Sequence, residues 1–311
     1  MSKTLLYHPN RGSNFRTATH FDSIWDQHFK RQPIEFVCTY DPDKYIITVN
    51  HLGIGEDWYQ PYIEQGFRVI VDNLWDNPVA TASTVAGQVL TLRAPNWAWF
   101  NEALWYIEKG YNKIQLTHKP SKFFLMPMRI RRPHRDQLLK AVEQYLDKSV
   151  YSYVSQGIML EDDLIINGDV EQRHISPTWF ESTAFSLVAE AMTRSPTFMS
   201  EKTFKPMAFE HAFVVWGSTG TLKYLHDAGF ETFDHVIDET YDTVANNAER
   251  LKCIVDVVEQ LYKQFEQGTE LFADKISQEK IAHNRAHFYN QDLLLDMVHR
   301  EVLEPILDFI K

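Results

Sequence analysis

The chain of 311 residues carries 42 acidic against 31 basic side chains, which gives a formal net charge of −11 at pH 7. Hydrophobic residues make up 44% and charged residues 23%, a composition that excludes an intrinsically disordered protein. The acidic balance argues against a nonspecific nucleic-acid binder. The length fits two domains better than one.

The first third of the sequence alternates strand and helix patterns. "YIITVN" (45–50), "FRVIVDNLW" (67–75) and "QVLTLRAP" (88–95) are predicted strands because they are rich in β-branched residues. "DWYQPYIEQG" is predicted to be a short helix that ends at Gly66. A longer helix is predicted for "NWAWFNEALWYIEKGY", with Asn96 as N-cap and Gly110 as its stop. This alternation predicts an α/β domain with parallel strands.

The pattern changes near residues 115–121, and a second set of elements follows. "KFFLMPMRI" and "AFVVWG" are predicted strands, and "ETFDHVID" is predicted to be a strand or an extended run. The segment "WFESTAFSLVAEAM" (179–192) is predicted to be helical from the spacing of its apolar residues. Further helices are predicted for "PHRDQLLKAVEQYLD", "GTLKYLHDAG", "NNAERLKCIVDVVEQLYKQFEQG" and "NQDLLLDMVHREVLEPILDFIK", the last of them bent near Pro305.

These elements predict two Rossmann-like α/β domains that face each other across a cleft. The predicted boundaries are 1–117 and 118–311, with the last helix packing back on the N-terminal domain. In such folds ligands bind at the carboxyl ends of the strands.

Residues 200–242 place a Glu-Lys helix before a hydrophobic strand and a glycine turn. This order resembles the donor-binding half of GT-B glycosyltransferases, in particular the Glu-Lys signature of α1,3-fucosyltransferase-like proteins. The segment is also similar to phage-encoded proteins that carry "EKTFKP…G…GTLKYL…GF…TF…DE.YD". Here those letters fall on 201–206, Gly217, 220–225, Gly229, Phe230, Thr232, Phe233, Asp238, Glu239, Tyr241 and Asp242. The resemblance covers most of residues 95–265. It implies that the loop with Glu239, Tyr241 and Asp242 closes one side of a sugar site.

Elementary chemistry agrees with that resemblance. A carboxylate such as Glu201 can accept hydrogen bonds from both hydroxyls of a ribose, and cations neutralise a diphosphate. Backbone N–H groups of "GSTGT" at a helix N-terminus can form an anion nest. In the basic segment 118–140, Arg132 and Arg135 are predicted to contact the donor phosphates, because they lie at the start of a predicted helix. The predicted donor-site residues are Arg132, Arg135, Glu201, Lys202, Lys205, Gly217, Ser218, Gly220 and Thr221. The alternative is an exposed ion pair beside a solvated basic patch.

The predicted N-terminal domain holds the acceptor and a general base. An inverting transferase needs a carboxylate or imidazole within hydrogen-bond reach of the acceptor hydroxyl, whereas a retaining one needs no such base. The candidates are Asp72, His51 and Glu102, which are interpreted as standing at strand ends. The aromatic residues Trp97, Trp99, Phe100, Trp105 and Tyr106 are favoured as core, with a stacking platform at Trp75 and Trp97 as the alternative.

No metal site is predicted. "EDD" (161–163) is interpreted as a solvated turn and "GIG" (53–55) as a tight turn, while His283 and His287 have a possible zinc spacing without a third ligand. Cys38 and Cys253 match no metal or redox spacing and indicate reduced thiols. The first residues lack an apolar signal core, so a cytoplasmic location is expected, in the host if a phage encodes the chain.

The sequence therefore predicts a metal-independent glycosyltransferase that needs no cofactor. Its donor is a nucleotide-diphosphate sugar, UDP-linked rather than GDP-linked. The expected acceptor is a hydroxyl, with a 5-hydroxymethylpyrimidine of phage DNA reached by base flipping as one candidate. A glycan- or protein-directed transferase is a second candidate. A noncatalytic α/β nucleotide-binding or interaction protein is the alternative from another class. No membrane and no obligatory protein partner are predicted.

Overall fold

The computed structural model describes residues 4–7, 34–37, 45–49, 60–72, 88–92, 96–160, 165–166, 169–170, 174–193 and 199–311. The chain divides into two compact units, the first formed by Met1–Tyr111 with Asn290–Lys311 and the second by Asn112–Tyr289. Each unit contains a parallel sheet with helices, which confirms the predicted α/β class with two Rossmann-like parts. The sequence-based division lies at 117/118, whereas the first unit gives way to the second at 111/112.

The first unit is built on a five-stranded sheet. Its strands are β1 (Thr4–Tyr7), β2 (Ile34–Val37), β3 (Tyr45–Val49), β4 (Val69–Asp72) and β5 (Val89–Leu92). They lie in the order β2-β1-β3-β4-β5 and all pairs are parallel. This is the order of a doubly wound sheet, in which the strand order reverses between β1 and β3. Helix α1 (Gln60–Glu64) and helix α2 (Trp97–Glu108) belong to the same unit.

Helix α2 supplies much of the described core of the first unit. Trp99, Phe100 and Tyr106 are almost completely buried. This confirms the core interpretation for these three aromatic residues. Burying aromatic side chains of this size contributes several kcal/mol of hydrophobic stabilisation, at about 25 cal/mol per Å².

The second unit is built on a four-stranded parallel sheet. Its strands are β6 (Lys122–Met128), β7 (Val150–Tyr153), β10 (Thr183–Ala189) and β11 (Phe213–Trp216), and β8 (Ile165–Ile166) with β9 (Asp169–Val170) forms a separate hairpin. The strand order is β11-β10-β6-β7. Chain order therefore reverses between β6 and β10, and this is the switch point at which doubly wound sheets bind ligands.

In the described part of the chain, six helices accompany this sheet, and two more belong to the first unit. They are α3 (Pro133–Ala141), α4 (Pro177–Ser182), α5 (Glu201–Ala208), α6 (Thr221–Asp227), α7 (Asn247–Glu266), α8 (Lys275–Phe288), α9 (Gln291–Val298) and α10 (Glu304–Ile310). A π turn, His299–Leu303, joins α9 to α10 directly before Pro305. No described helix is long and apolar enough to cross a membrane.

The structure corrects the prediction for residues 179–192. Only Pro177–Ser182 is helical, and Thr183–Ala189 forms the buried strand β10 between β6 and β11. A strand covered on both faces shows a continuous apolar run without alternation, so its sequence imitates a buried helix. "ETFDHVID" contains no strand and continues into turns instead.

Candidate functional site at the carboxyl edge of the second sheet

Three chain segments meet at one edge of the second sheet. Strands β6, β10 and β11 are parallel, so their carboxyl ends lie at the same edge, and each is followed by the start of a helix. The helices that begin after these strands are α3, α5 and α6. The N-terminus of a helix carries a partial positive charge, so this edge favours negatively charged groups. We call it the carboxyl-edge site.

Glu190, the first residue after β10, organises this edge. Its side chain is completely buried and accepts hydrogen bonds from Ala191 N (2.9 Å), Ser200 N (2.9 Å), Ser200 Oγ (2.7 Å) and Thr203 Oγ1 (2.6 Å). The carboxylate thereby fixes Ser200, which is the N-cap of α5. The first turn of α5 is consequently held in one position relative to β10.

Arg135 closes the switch point from the other side. The residue is 2% exposed, and its guanidinium donates to the carbonyl oxygens of Ile130 (2.9 Å) and Ala189 (3.1 Å), so it joins the ends of β6 and β10. Burial lowers its pKa, while the charges of Glu190 and Glu201 oppose that change. The adjacent His134 bonds to the Glu190 carbonyl through Nε2 (2.8 Å), and burial lowers its pKa. The site therefore contains a fixed cation beside a neutral imidazole.

Glu201, in the first turn of α5, is an almost buried carboxylate. Its side chain is 13% exposed and pairs with Lys202, whose side chain is 16% exposed. Burial alone would raise the pKa of Glu201, but Lys202 and Lys205 outweigh it and lower the pKa to about 2. Lys205 is itself 8% exposed. The carboxylate of Glu201 thus stays ionised beside two lysine side chains in a poorly hydrated position, a combination that is common at functional sites.

Three donor groups at this edge have no hydrogen-bond partner among the residues that the structure describes. Trp216 Nε1, Ser218 Oγ and Arg132 Nε are buried and make no hydrogen bond within the described part of the chain. Trp216 is the last residue of β11, and the ring of His134 packs edge-on against it at 5.5 Å. Unpaired buried donors cost free energy unless a ligand or water completes them. All three can donate to the oxygen atoms of an anion.

The glycine turn after β11 is held tightly by the protein itself. Gly217 has no room for a side chain, because a Cβ would lie 2.9 Å from Thr221 Oγ1, and Gly220 has φ +79°. Asp242 accepts from the N–H groups of Leu222 (3.0 Å) and Lys223 (3.2 Å) at the start of α6. Gly220 N donates to Asp242 O and Thr221 N to Ser218 O. Asp242 is therefore the anion that this helix N-terminus holds, and the predicted nest of "GSTGT" is already occupied at these N–H groups.

The other two residues of the predicted closing loop also have partners within the protein. Glu239 accepts from Thr232 Oγ1 and Phe233 N, both at 2.7 Å, and burial raises its pKa. The hydroxyl of Tyr241 accepts from Val215 N at 3.4 Å, and the residue is 1% exposed. The structure therefore places these polar atoms in contacts that stabilise the loop after α6. Their role towards a sugar stays a prediction.

Two buried residues of this region are absent from the sequence-based predictions. The sequence analysis misses Glu190 because the pattern of residues 179–192 predicts a helix. A carboxylate directly after a buried strand is typical of a binding site at the edge of a parallel sheet and could have indicated it. Arg250, on α7, donates to Thr219 Oγ1 (2.8 Å), Thr193 O (2.8 Å) and Gly217 O (3.1 Å). These bonds fix the conformation of the loop after β11. The residues next to Arg250 in the sequence show no pattern that predicts this role.

The candidate bases lie in the first unit. Glu102 is buried on α2, 2% exposed, and Asp72 is the last residue of β4, at the carboxyl edge of that sheet. His51 lies outside the described residues, as do Trp75, Cys38, "GIG" and "EDD". The assignment of a base stays a prediction.

The basic segment 118–140 is divided between two ends of one strand. Lys119 precedes β6, whereas Arg132 and Arg135 follow it, and a seven-residue strand spans about 20 Å. Arg131 pairs with Asp136 at 2.9 Å in solvent, and Arg135 points inward. The segment is therefore not one continuous basic surface. His283 and His287 each bond to a backbone carbonyl through Nε2, and no metal-binding cluster of His, Cys, Asp or Glu occurs among the described residues.

Comparison with known proteins gives likenesses in structure only. No family model and no curated protein matches the chain. It is similar to crystal structures of an α1,3-fucosyltransferase, alone and with GDP, at TM-score 0.46 and 11% identity over 94% of this chain and 92% of that one. It is similar to a DNA-modifying β-glucosyltransferase at TM-score 0.45 and 11% identity, covering 96% and 99%. An α,α-trehalose 6-phosphate synthase from Burkholderia multivorans gives TM-score 0.45 and 8% identity, covering 99% and 100%.

Proposed function

We propose that the carboxyl-edge site binds the nucleotide diphosphate of a sugar donor and that the protein transfers this sugar to a hydroxyl acceptor. The observation that carries the proposal is the nearly buried cluster of the ionised Glu201 with Lys202 and Lys205 near the N-terminus of α5, beside the switch point. Holding these charged groups in a poorly hydrated position costs desolvation free energy, and a ligand that uses their charges explains why they lie there.

The chemistry of the site fits the two polar parts of such a donor. Glu201 accepts hydrogen bonds from the two ribose hydroxyls, and Lys202 and Arg132 neutralise the diphosphate. Ser218 Oγ and Trp216 Nε1 donate to its oxygen atoms, because both are buried without partners among the described residues. When the sugar leaves, negative charge grows on the diphosphate. Cations that are already fixed there stabilise it without reorganisation.

A titration with UDP and GDP tests the donor part of the proposal. UDP is expected to raise the melting temperature of the protein, and GDP is expected to do so less. The Glu201→Gln variant keeps the volume of the side chain and loses its charge, so it should bind UDP at least about tenfold more weakly. Lys223→Ala is the matched control, because Lys223 pairs with Asp227 in solvent on the neighbouring helix α6. Absence of stabilisation by both nucleotides would rule out the donor site.

The proposed acceptor is the hydroxyl of a 5-hydroxymethylpyrimidine in DNA. Arg131, three residues after β6, is 68% exposed and can contact a phosphate of DNA in addition to its partner Asp136, whereas the net charge of −11 and the division of the basic segment count against a DNA acceptor. Incubation with a UDP-sugar and DNA duplexes, with and without the modified base, decides this point by mass spectrometry. A mass increase on the modified duplex alone supports it. Transfer to an oligosaccharide or a protein instead would assign the acceptor to those classes.

The general base is proposed to come from the first unit, with Asp72 as first choice and Glu102 and His51 as alternatives. Replacing the true base should lower kcat by about two to four orders of magnitude and leave UDP binding unchanged. Asp72→Asn, Glu102→Gln and His51→Gln, compared in one assay, identify it. Equal activity in all three variants would favour a retaining mechanism or a base elsewhere.

A further inference from the structure

A cavity lies at the amino edge of the sheet of the second unit, opposite the carboxyl-edge site. It has a volume of about 590 Å³ and is open to solvent. Its walls come from the chain before β6, the start of β10, the turn before β11, the segment between α7 and α8, and α8 itself. The first three of these segments lie at the amino ends of strands, so the cavity is distinct from the carboxyl-edge site. Its size is within the range of small-molecule sites.

The backbone of the cavity wall is strained at two positions. Glu210 has φ 52° and Phe272 has φ 59°, and no other non-glycine residue among those described has a positive φ. Both residues line this cavity. Side chains with a Cβ rarely occupy the left-handed region, and such strain is concentrated at ligand-binding positions. Two unrelated turns therefore carry the same unusual feature at one place.

A pair of histidine rings forms a flat wall. His211 is 4% exposed, donates through Nε2 to Thr183 O and accepts at Nδ1 from Ser186 Oγ, both at 2.8 Å. Burial lowers its pKa to about 3, so the ring is neutral at physiological pH. The exposed ring of His118 stacks on it, with 5.9 Å between centroids and 9° between planes. The buried ring therefore holds the exposed one as a platform for a ligand.

The charges of the lining cancel. Glu210 is neutralised by Arg285, whose Nη1 lies 3.0 Å from its carboxylate. Lys119 and Glu270 remain as one exposed cation and one exposed anion. The carboxylate of Glu270 would repel a phosphate, and the ammonium group of Lys119 would repel a polyamine. The lining thus suits a neutral ligand that both donates and accepts hydrogen bonds.

The cavity wall also contains apolar side chains. Leu271, Phe272 and Ile281 are buried in the cavity wall beside the polar groups. A sugar ring has an apolar face that stacks on an aromatic ring and a rim of hydroxyls that donate and accept. We propose that this cavity binds a neutral carbohydrate of one or two rings, stacked on His118 and held by Lys119 and Glu270. The proposal does not depend on the function proposed for the carboxyl-edge site.

Binding is tested with methyl α-D-glucopyranoside and maltose on the full chain labelled at its histidine rings. NMR titration should shift the ring signal of His118, which the His118→Ala variant identifies, with an affinity in the millimolar range. His118→Ala should weaken binding about tenfold and Glu270→Gln about threefold. Both residues are exposed, so the variants are expected to fold normally. UDP binding should stay unchanged in both, which separates this cavity from the donor site.

Other outcomes overturn the proposal. It is wrong if neither sugar shifts the His118 signal, or if sugar binding is unchanged in His118→Ala. It is also wrong if inorganic phosphate, spermidine or adenosine, used as charged and heteroaromatic competitors, binds in the cavity in place of the sugars. A failure of the unmodified protein to bind UDP would contradict the donor site only.

Discussion

The two edges of the second sheet each contain a buried ionisable group, and the two groups differ in whether they are charged. At the carboxyl edge the pKa of Glu201 is lowered to about 2, so the group stays charged although it is buried. At the amino edge the pKa of His211 is lowered to about 3, so the group stays neutral. Both groups are buried, and their neighbours decide which protonation state survives.

The difference arises from the partners that the fold supplies. Glu201 has two ammonium groups beside it and stands in the first turn of a helix, where a negative charge is favoured. His211 has a carbonyl and a hydroxyl as hydrogen-bond partners, and neither carries a charge that would stabilise a proton on the ring. One edge of the sheet can therefore attract a charged ligand, and the other is suited to a neutral one.

The largest effect on stability is expected at Glu190. Glu190→Ala leaves four donors of Ala191, Ser200 and Thr203 without their acceptor and should lower the free energy of unfolding by about 4 kcal/mol. Urea denaturation measures it. The control is Glu270→Ala at the amino edge, where the exposed carboxylate should change stability by less than about 0.5 kcal/mol. Equal losses at both edges would contradict the comparison.

The next effect is a pH dependence at Glu201. Its folded pKa of about 2 is below its ordinary value of 4.5, so the unfolded chain takes up the proton first as the pH falls. The stability from the ionised group is complete above about pH 4.5 and is lost as the pH falls towards 2. The stability difference between the protein and Glu201→Gln should therefore shrink by about 2 kcal/mol between pH 7 and about pH 3.

Constancy of that difference over this range would show that Glu201 has an ordinary pKa. Lys223→Ala provides the control, since it alters an exposed ion pair on α6 and leaves Glu201 and its two lysine neighbours intact.

A smaller effect with its own pH window is expected at His211. Its folded pKa of about 3 is below the ordinary 6.5, so protonation favours the unfolded chain and stability falls as the pH drops below 6.5. Relative to His211→Gln, the protein should lose about 1.3 kcal/mol between pH 7 and about pH 5.5. Thermal unfolding at several pH values measures this loss. Parallel curves for the two proteins would show that the buried imidazole does not control it.

The sequence predicted the elements whose signals are local. Helix α7 follows from a regular apolar face with Ile254, Val257 and Leu261, and β11 from a short apolar run before a glycine. The Glu-Lys pair and the two glycines of the turn could be chosen because they form a contiguous motif. Order in the chain was enough to predict parallel sheets, since helices separate the strands.

What the sequence could not show depends on interactions between distant residues. Strand β10 is buried on both faces, so its periodicity gives no information, and Glu190 was missed with it. Asp242 fills the N-terminus of α6 from twenty residues further along the chain. His118 and His211 form one platform although 93 positions separate them, because β6 and β11 start at the same edge. Such partners are determined by topology and not by neighbouring residues.

The smallest effect is expected at the ion pair between Lys223 and Asp227. Its coupling energy can be compared with that of the pair of Glu201 and Lys202. The side chains of the first pair are 74% and 65% exposed, against 13% and 16% for Glu201 and Lys202. A double-mutant cycle with Lys223→Ala and Asp227→Ala should give a coupling energy of about 0.3 kcal/mol, because water and salt screen an exposed pair. The same cycle with Glu201→Gln and Lys202→Met should give a several-fold larger coupling. Salt should reduce the first coupling and leave the second nearly unchanged. Equal couplings would mean that the charges at the carboxyl edge are hydrated like any surface pair, and the physical basis for a ligand site there would be lost.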